Sequence, residues 1–133
     1  MSKAILQVVN TGAQTVSADG IINLGTTTHK YGCDIIQSGN GITIFGNGYF
    51  EIKTNVVVTP EAIGNITINL LNNGSVIPGA TATGSVATVG DSVTLPIDFI
   101  IRRGCHCADS STITVSIDAD ATVDNIVTNV EKK

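Results

Sequence analysis

Four short turn signals divide this chain into segments whose side chains suit strands better than helices. The dipeptides are Asp19-Gly20, Asn40-Gly41, Asn47-Gly48 and Asn73-Gly74. Asn-Gly and Asp-Gly pairs favour the positive backbone φ angles that tight, primed hairpin turns require. Between these turns, Val, Ile, Leu and Ala alternate with Thr, Asn and Ser, a pattern typical of a pleated, half-buried surface. We therefore expect the chain to fold almost entirely into β-strands.

The alternating runs predict ten strands, which we expect to form one domain over residues 1–133. The strands cover residues 4–10, 20–24, 30–37, 41–45, 48–59, 65–72, 75–83, 92–103, 111–118 and 122–131. A chain of 133 residues has the size of one domain and can bury about two thirds of its unfolded surface. Many short strands at regular turn spacing predict an all-β sandwich or barrel.

Three of the predicted strands, at 4–10, 92–103 and 122–131, carry large apolar side chains on both faces. The strands at 65–72 and 111–118 instead have one apolar face and one face of Thr, Asn and Ser. A sandwich has a single interior, so a second apolar face has to be covered by another chain. The sequence therefore predicts a subunit interface that contains Leu6, Val8, Ile100, Ile126 and Val130.

The charge of the chain argues against a nucleic-acid partner, and its short apolar runs argue against a membrane partner. The net charge is −4, and the basic pairs are Arg102-Arg103 and Lys132-Lys133. A nucleic-acid binder needs a basic stripe that replaces phosphate counterions, and this chain has none. No apolar run approaches the roughly 20 residues of a membrane span, and the N-terminus has no apolar segment of signal-peptide length. We expect the protein to be made in a bacterial cytoplasm.

The motif Cys105-His106-Cys107 is the strongest metal-site candidate, because thiolate and imidazole are zinc ligands. On a strand, however, the two thiols face one way and His106 the other, so one subunit does not easily supply four tetrahedral ligands. Three copies of His106 on a threefold axis would form a metal site by symmetry. The alternative is that the thiols are small buried side chains. Three cysteines, an odd number, favour reduced thiols over a disulfide framework.

The acidic segment 118–124 is a candidate calcium site, since it contains Asp118, Asp120 and Asp124. It lacks the Gly and the closing Glu of an EF-hand loop, and it lies where a hairpin should turn. A solvated turn is the favoured interpretation.

The sequence shows no Cys-His pair with an orienting third group and no phosphate-binding glycine loop. We therefore predict a protein that is not an enzyme and has no cofactor.

Several segments resemble a known fold family. From Gly48 the sequence is G-Y-F-E-I-K-T-N-V-V-V-T, and from Gly64 it is G-N-I-T-I-N-L-L-N-N-G-S-V-I-P-G-A. From Gly90 it is G-D-S-V-T-L-P-I, and from Ile113 it is I-T-V-S-I. These segments resemble the C1q/tumour-necrosis-factor type of jelly roll. More narrowly, they are similar to short domains of phages and prophages and of spore-surface filament tips.

The resemblance implies a ten-stranded jelly-roll sandwich that forms a compact homotrimer. It also implies an inner sheet that contains the strands at 4–10, 48–59, 92–103 and 122–131. Family members can bind calcium near the ends of the trimer, so the resemblance keeps that alternative open for 118–124. The absence of a Gly-X-Y stalk and the start at Met1 favour a free-standing virion component, which we expect to contact other virion proteins.

Two functions follow from this resemblance. The leading one is a phage structural protein located in the virion, either a head decoration or a fibre module. The alternative is a lectin-like adhesin located on a bacterial surface or spore coat, with end loops that contact carbohydrate or a receptor.

Overall fold

The computed structural model describes residues 4–103 and 110–133, which form two antiparallel β-sheets packed face to face. The strands are β1 (Ile5–Asn10), β2 (Gln14–Val16), β3 (Thr26–Tyr31), β4 (Ile35–Ser38), β5 (Gly41–Ile44), β6 (Gly48–Pro60), β7 (Gly64–Asn72), β8 (Ser75–Val86), β9 (Val93–Arg103), β10 (Ser111–Ile117) and β11 (Ala121–Lys132). Within these two ranges no helix is long and apolar enough to cross a membrane.

The two sheets have different strand orders. The first sheet runs β3-β1-β11-β6-β9, and β2 also pairs with β11. The second sheet runs β4-β5-β10-β7-β8. The four strands that the resemblance placed in one sheet do share a sheet, because β1, β11, β6 and β9 are consecutive neighbours in the first sheet. The two ends of the chain therefore lie side by side inside one sheet.

Eight of the ten predicted strands are confirmed, and two predictions are wrong. Residues 20–24 form only an isolated bridge between Ile21 and Ser116. The predicted strand at 30–37 is interrupted at Gly32, whose φ is 85°, so its two halves belong to β3 and β4 in different sheets. The short strand β2 was not predicted. The described part of the chain therefore has eleven strands instead of ten.

Branched aliphatic side chains from both sheets fill the interior. Ile52 and Val56 of β6 and Ile66 and Ile68 of β7 have no exposed surface. Phe50 is the largest of the fully buried side chains. Because every second residue of these strands faces inward, the alternate residues are left on the outer face of each sheet.

Candidate functional site: the outer face of the first sheet

The outer face of the first sheet consists of the side chains of β1, β3, β6, β9 and β11 that point away from the core. One row of paired residues crosses all five strands. In order, it contains Tyr31, Ile5, Glu131, Glu51 and Ile100. The exposed fraction is 67% for Tyr31 and 52% for Ile100. The row therefore has apolar side chains at both edges of the sheet and carboxylates between them.

The β3 edge of this face is concave. An open depression of about 460 Å³ is lined by Ile5, Gln7, His29, Lys30, Tyr31 and Asn129, and we call it the groove. Gln7 Oε1 accepts a hydrogen bond from Thr28 Oγ1 at 2.8 Å and lies 3.0 Å from His29 Nδ1. These contacts hold the polar residues of the groove in place, while Ile5 and Tyr31 supply its apolar surface.

The opposite edge of this face carries exposed apolar side chains. We call Tyr49 and Ile100, which are 53% and 52% exposed, the ridge. Ile100 lies on β9, which pairs with β6 alone among the described strands and so forms an edge of the sheet. Asp98, two residues before Ile100, is exposed on the same face. The ridge therefore lies at an edge of the first sheet as the described residues form it.

A cluster of ion pairs lies between the groove and the ridge. Lys133 Nζ is 2.9 Å from Glu51 Oε1 and 3.7 Å from Glu131 Oε1, and Lys53 Nζ is 4.0 Å from Glu51 Oε2. The hydrogen bond from Lys133 lowers the pKa of Glu51, and the same bond raises the pKa of Lys133. Asp98 of β9, which is paired with Lys53 and also contacts Glu51, adds a third carboxylate to this cluster.

The ion pair between Glu51 and Lys133 predicts that the pKa of Glu51 will change when Lys133 is replaced. Because the folded pKa of Glu51 is lowered, its contribution to stability is present above the ordinary glutamate pKa and is lost as the pH falls through the lowered value. We expect Lys133→Met to raise the pKa of Glu51, measured by NMR titration of its side-chain carboxyl carbon. Lys30→Met removes a lysine outside this cluster and should leave that pKa unchanged; equal effects of both variants would contradict the assignment.

The structure corrects the predicted subunit interface. Leu6, Val8, Ile126 and Val130 have no exposed surface, so they belong to the core between the sheets. The assignment was wrong because a strand with apolar residues on both faces does not reveal which face is inward. Only Ile100 of the predicted set is exposed.

A bulge in β11 explains part of this error. The register between β11 and β6 shifts between Val123 and Asn125. Val123 and Ile126, which would lie on opposite faces of a regular strand, therefore both point into the core. The apparent second apolar face of β11 is thus reduced to Val127, which is half-buried.

The Cys105-His106-Cys107 motif and the rest of the chain have to be considered separately as metal ligands. Cys105, His106 and Cys107 lie outside the described residues, so a site formed by them stays a prediction. Among residues 4–103 and 110–133, no group of three or more His, Cys, Asp or Glu side chains is arranged to hold a metal ion. Cys33 is exposed.

The three aspartates of the 118–124 segment each accept a hydrogen bond from another part of the chain. Asp118 Oδ1 accepts a hydrogen bond from the Thr67 backbone N–H at 2.8 Å. Asp120 Oδ1 accepts one from the Ala18 N–H at 2.8 Å, and Asp124 Oδ2 accepts one from Thr59 Oγ1 at 2.7 Å. Residues 118–120 form the connection between β10 and β11, as predicted, whereas residues 121–124 are the first residues of β11.

The second sheet has a different outer surface. None of its five strands contains a Lys, Arg, Asp or Glu residue. Its outward side chains are mostly hydroxyls and amides, and two hydroxyl pairs cross between strands. Thr43 Oγ1 is 3.3 Å from Thr112 Oγ1, and Thr67 Oγ1 is 2.9 Å from Thr83 Oγ1. Charged side chains on the strands are therefore confined to the first sheet.

Comparison with known proteins identifies the fold. No protein-family model matches the chain, and no curated protein matches its sequence. Murine APRIL superimposes with a TM-score of 0.72 at 10% identity, over 99% of this chain and 100% of that chain. The globular domain of zebrafish complement 1qA gives a TM-score of 0.71 at 8% identity, over 95% and 94%. The vertex protein P5 of PRD1 gives 0.63 at 15% identity, over 98% and 96%.

Sequence identities this low establish the fold alone. The sequence motifs predicted a C1q/TNF-like jelly roll, and the two sheets and these structural neighbours confirm it. The chain has the C1q/TNF-type jelly-roll fold.

Proposed function

We propose that this protein is a non-enzymatic structural module that forms a homotrimer and serves as a phage virion component, either a head decoration or a fibre module. The observation that carries the proposal is the set of exposed apolar side chains on one sheet face, namely Ile5, Tyr31, Tyr49 and Ile100. Apolar side chains grouped on one face of a folded protein are typical of a surface that another protein covers.

The free energy gained by burying these four apolar side chains favours a closed ring of subunits over a single pair. Burying a large apolar side chain completely contributes roughly 1.5–3 kcal/mol. These four residues are about half exposed, so one contact gains on the order of 3–6 kcal/mol. Association costs an estimated ~4–15 kcal/mol in lost freedom, so a single contact is marginal. A closed ring of three subunits gains three contacts, and threefold symmetry is what the family resemblance implies.

A virion location is supported by the structural similarity to the vertex protein P5 of PRD1. It is also compatible with the second sheet, whose uncharged, hydroxyl-rich outer face can remain in contact with solvent while the first sheet is covered.

A second candidate is a lectin-like adhesin on a bacterial or spore surface. The observation that favours it is the same uncharged face, because its hydroxyl and amide groups suit hydrogen bonds to neutral sugars. Mass spectrometry of purified phage particles separates the candidates. A virion component is present in the particles in multiples of three copies, whereas an adhesin is absent from them and is retained on neutral glycans.

The trimer itself is tested by light scattering on the purified protein. We expect a mass of about three times 13.7 kDa, and we expect Ile100→Asp to reduce it to that of one chain, because a buried unpaired carboxylate is costly. Thr81→Asp introduces the same charge on the exposed face of the second sheet and should leave the trimer intact. A wild-type mass of one chain at tens of micromolar concentration would refute the assembly proposal.

A further inference from the structure

We infer that a depression at one end of the sandwich binds a lysine or arginine side chain of a partner protein. We call it the end depression, and its volume is about 420 Å³. It lies where the segment after β2, the β6–β7 connection and the β10–β11 connection meet. Strands of both sheets end there, away from the outer face of the first sheet, so the inference does not depend on the proposed trimer.

Hydrogen bonds hold the three connections of the end depression together. The Ala18 N–H donates to Asp120 Oδ1 at 2.8 Å, and the Glu61 N–H donates to the Asp120 backbone oxygen at 3.2 Å. The Asp19 N–H donates to the Ile117 oxygen at 2.7 Å. The frame of the end depression is therefore formed before anything binds, and a ligand does not have to order it.

The walls of the end depression are apolar. Ala18, Pro60, Ala62 and Ala119 supply small apolar groups. Ile63 also lines the depression, and it is 61% exposed, a large apolar side chain left in contact with solvent. Lysine and arginine bury their carbon stems along apolar surface while their charged heads stay with polar partners. The walls therefore suit the stem of a basic side chain.

Two carboxylates can receive the charged head. Glu61 and Asp120 are the charged residues that line the end depression, and neither a lysine nor an arginine lines it. Among the residues that the structure describes, the Glu61 carboxylate has no partner, and Asp120 uses only Oδ1, which accepts the bond from Ala18. An ammonium or guanidinium group would therefore find unused acceptor oxygens on both carboxylates.

The chain's own cations lie too far away to neutralise these carboxylates. Over residues 4–103 and 110–133, the lysine or arginine closest along the strands is Lys53. It is seven residues from Pro60 on β6, about 23 Å at ~3.3 Å per residue. Charges are screened over roughly 8 Å at physiological ionic strength. Four further aspartates lie at the same end of the sandwich, namely Asp19, Asp91, Asp118 and Asp124. This end therefore attracts a cationic partner.

A basic side chain fits the end depression better than a metal ion does. Calcium takes about six to eight oxygen ligands, whereas two carboxylates line this depression. In the described part of the chain, no group of three or more His, Cys, Asp or Glu side chains is arranged to hold a metal ion. The apolar walls would also contribute nothing to a metal ion, whereas they contact the stem of a lysine or arginine.

Titration of the full chain with a capped arginine peptide, acetyl-Gly-Gly-Arg-Gly-Gly-amide, tests the site. We expect saturable shifts of the Ala18, Ala62 and Ile63 amide signals in nitrogen–proton NMR spectra, and weaker binding of the same peptide with Gln in place of Arg. Glu61→Gln combined with Asp120→Asn should weaken arginine-peptide binding by roughly fivefold, because both charged contacts are lost. Asn keeps an oxygen for the Ala18 N–H, and the amide spectrum shows whether the variant is folded.

A second double variant separates a defined site from general attraction to an acidic end. Asp19→Asn combined with Asp91→Asn removes the same charge at the same end without changing a residue that lines the depression. It should leave the affinity within about twofold at 0.15 M salt. Equal weakening by the two double variants would overturn the inference. So would the absence of saturable shifts, or shifts caused by calcium chloride and not by the peptide. Light scattering on the same samples reports the trimer separately, so a failure of peptide binding leaves the assembly proposal standing.

Discussion

Replacement of Phe50 by alanine is expected to lower the free energy of unfolding by about 3–5 kcal/mol. Phe50 is the largest side chain with no exposed surface, and it lies on β6 in the middle of the first sheet. Its ring also lies 5.8 Å from Lys132 Nζ, which pairs with Asp34 at 2.9 Å. The paired strands on both sides of β6 limit how far the backbone can move to fill the resulting cavity. Urea unfolding monitored by circular dichroism measures the loss.

The neighbouring aromatic residue supplies a matched control. Tyr49 is adjacent in sequence, but its side chain points to the outer face and is 53% exposed. Its backbone oxygen accepts a hydrogen bond from the Lys133 N–H at 2.8 Å, which alanine preserves. We expect Tyr49→Ala to cost less than about 1 kcal/mol when both variants are compared in the monomeric Ile100→Asp background. Equal losses for both variants would show that the inward and outward faces of β6 are assigned incorrectly.

The sequence predicts the inward face of a strand only where apolar and polar side chains alternate along it. A strand with Thr and Ser on one face and Ile or Val on the other, such as β10, identifies its inward side directly. In β1 the residues Ile5 and Leu6 are both large and apolar, and nothing in the pattern decides which is inward. The structure places Leu6 in the core and leaves Ile5 on the outer face, because neighbouring strands fix the register.

The groove could not be predicted for a different reason. Its outer wall is β3, whose sequence T-T-T-H-K-Y shows no apolar alternation, so most of β3 was not predicted as a strand. All six of its residues are exposed, and β3 is held in place by its pairing with β1. That pairing brings Tyr31 opposite Ile5 and so creates the apolar surface of the groove. The periodicity of apolar residues is a local property, so it does not predict contacts between segments about 25 residues apart.

Replacement of Gly25 by alanine is expected to destabilise the fold by about 3 kcal/mol or more, through both backbone strain and steric overlap. Gly25 has a φ of 97°, in a region that residues with a side chain rarely adopt. A Cβ atom at this position would lie 2.1 Å from the Val9 carbonyl oxygen and 2.6 Å from Asn10 Cβ. Because Gly25 immediately precedes β3, relief of this overlap would move β3 away from β1.

Gly90 offers a control that separates the two causes. Its φ is 98°, nearly the same as that of Gly25, but an added Cβ atom would have no neighbour within 4 Å. Gly90→Ala therefore carries the backbone strain alone, at about 1–2 kcal/mol, and the difference between the two variants isolates the steric overlap with β1. Since that overlap displaces the wall of the groove, Gly25→Ala should also weaken the trimer, whereas Gly90→Ala should not. Equal thermal stability and equal mass for the two variants would mean that β3 does not pack against β1 as described.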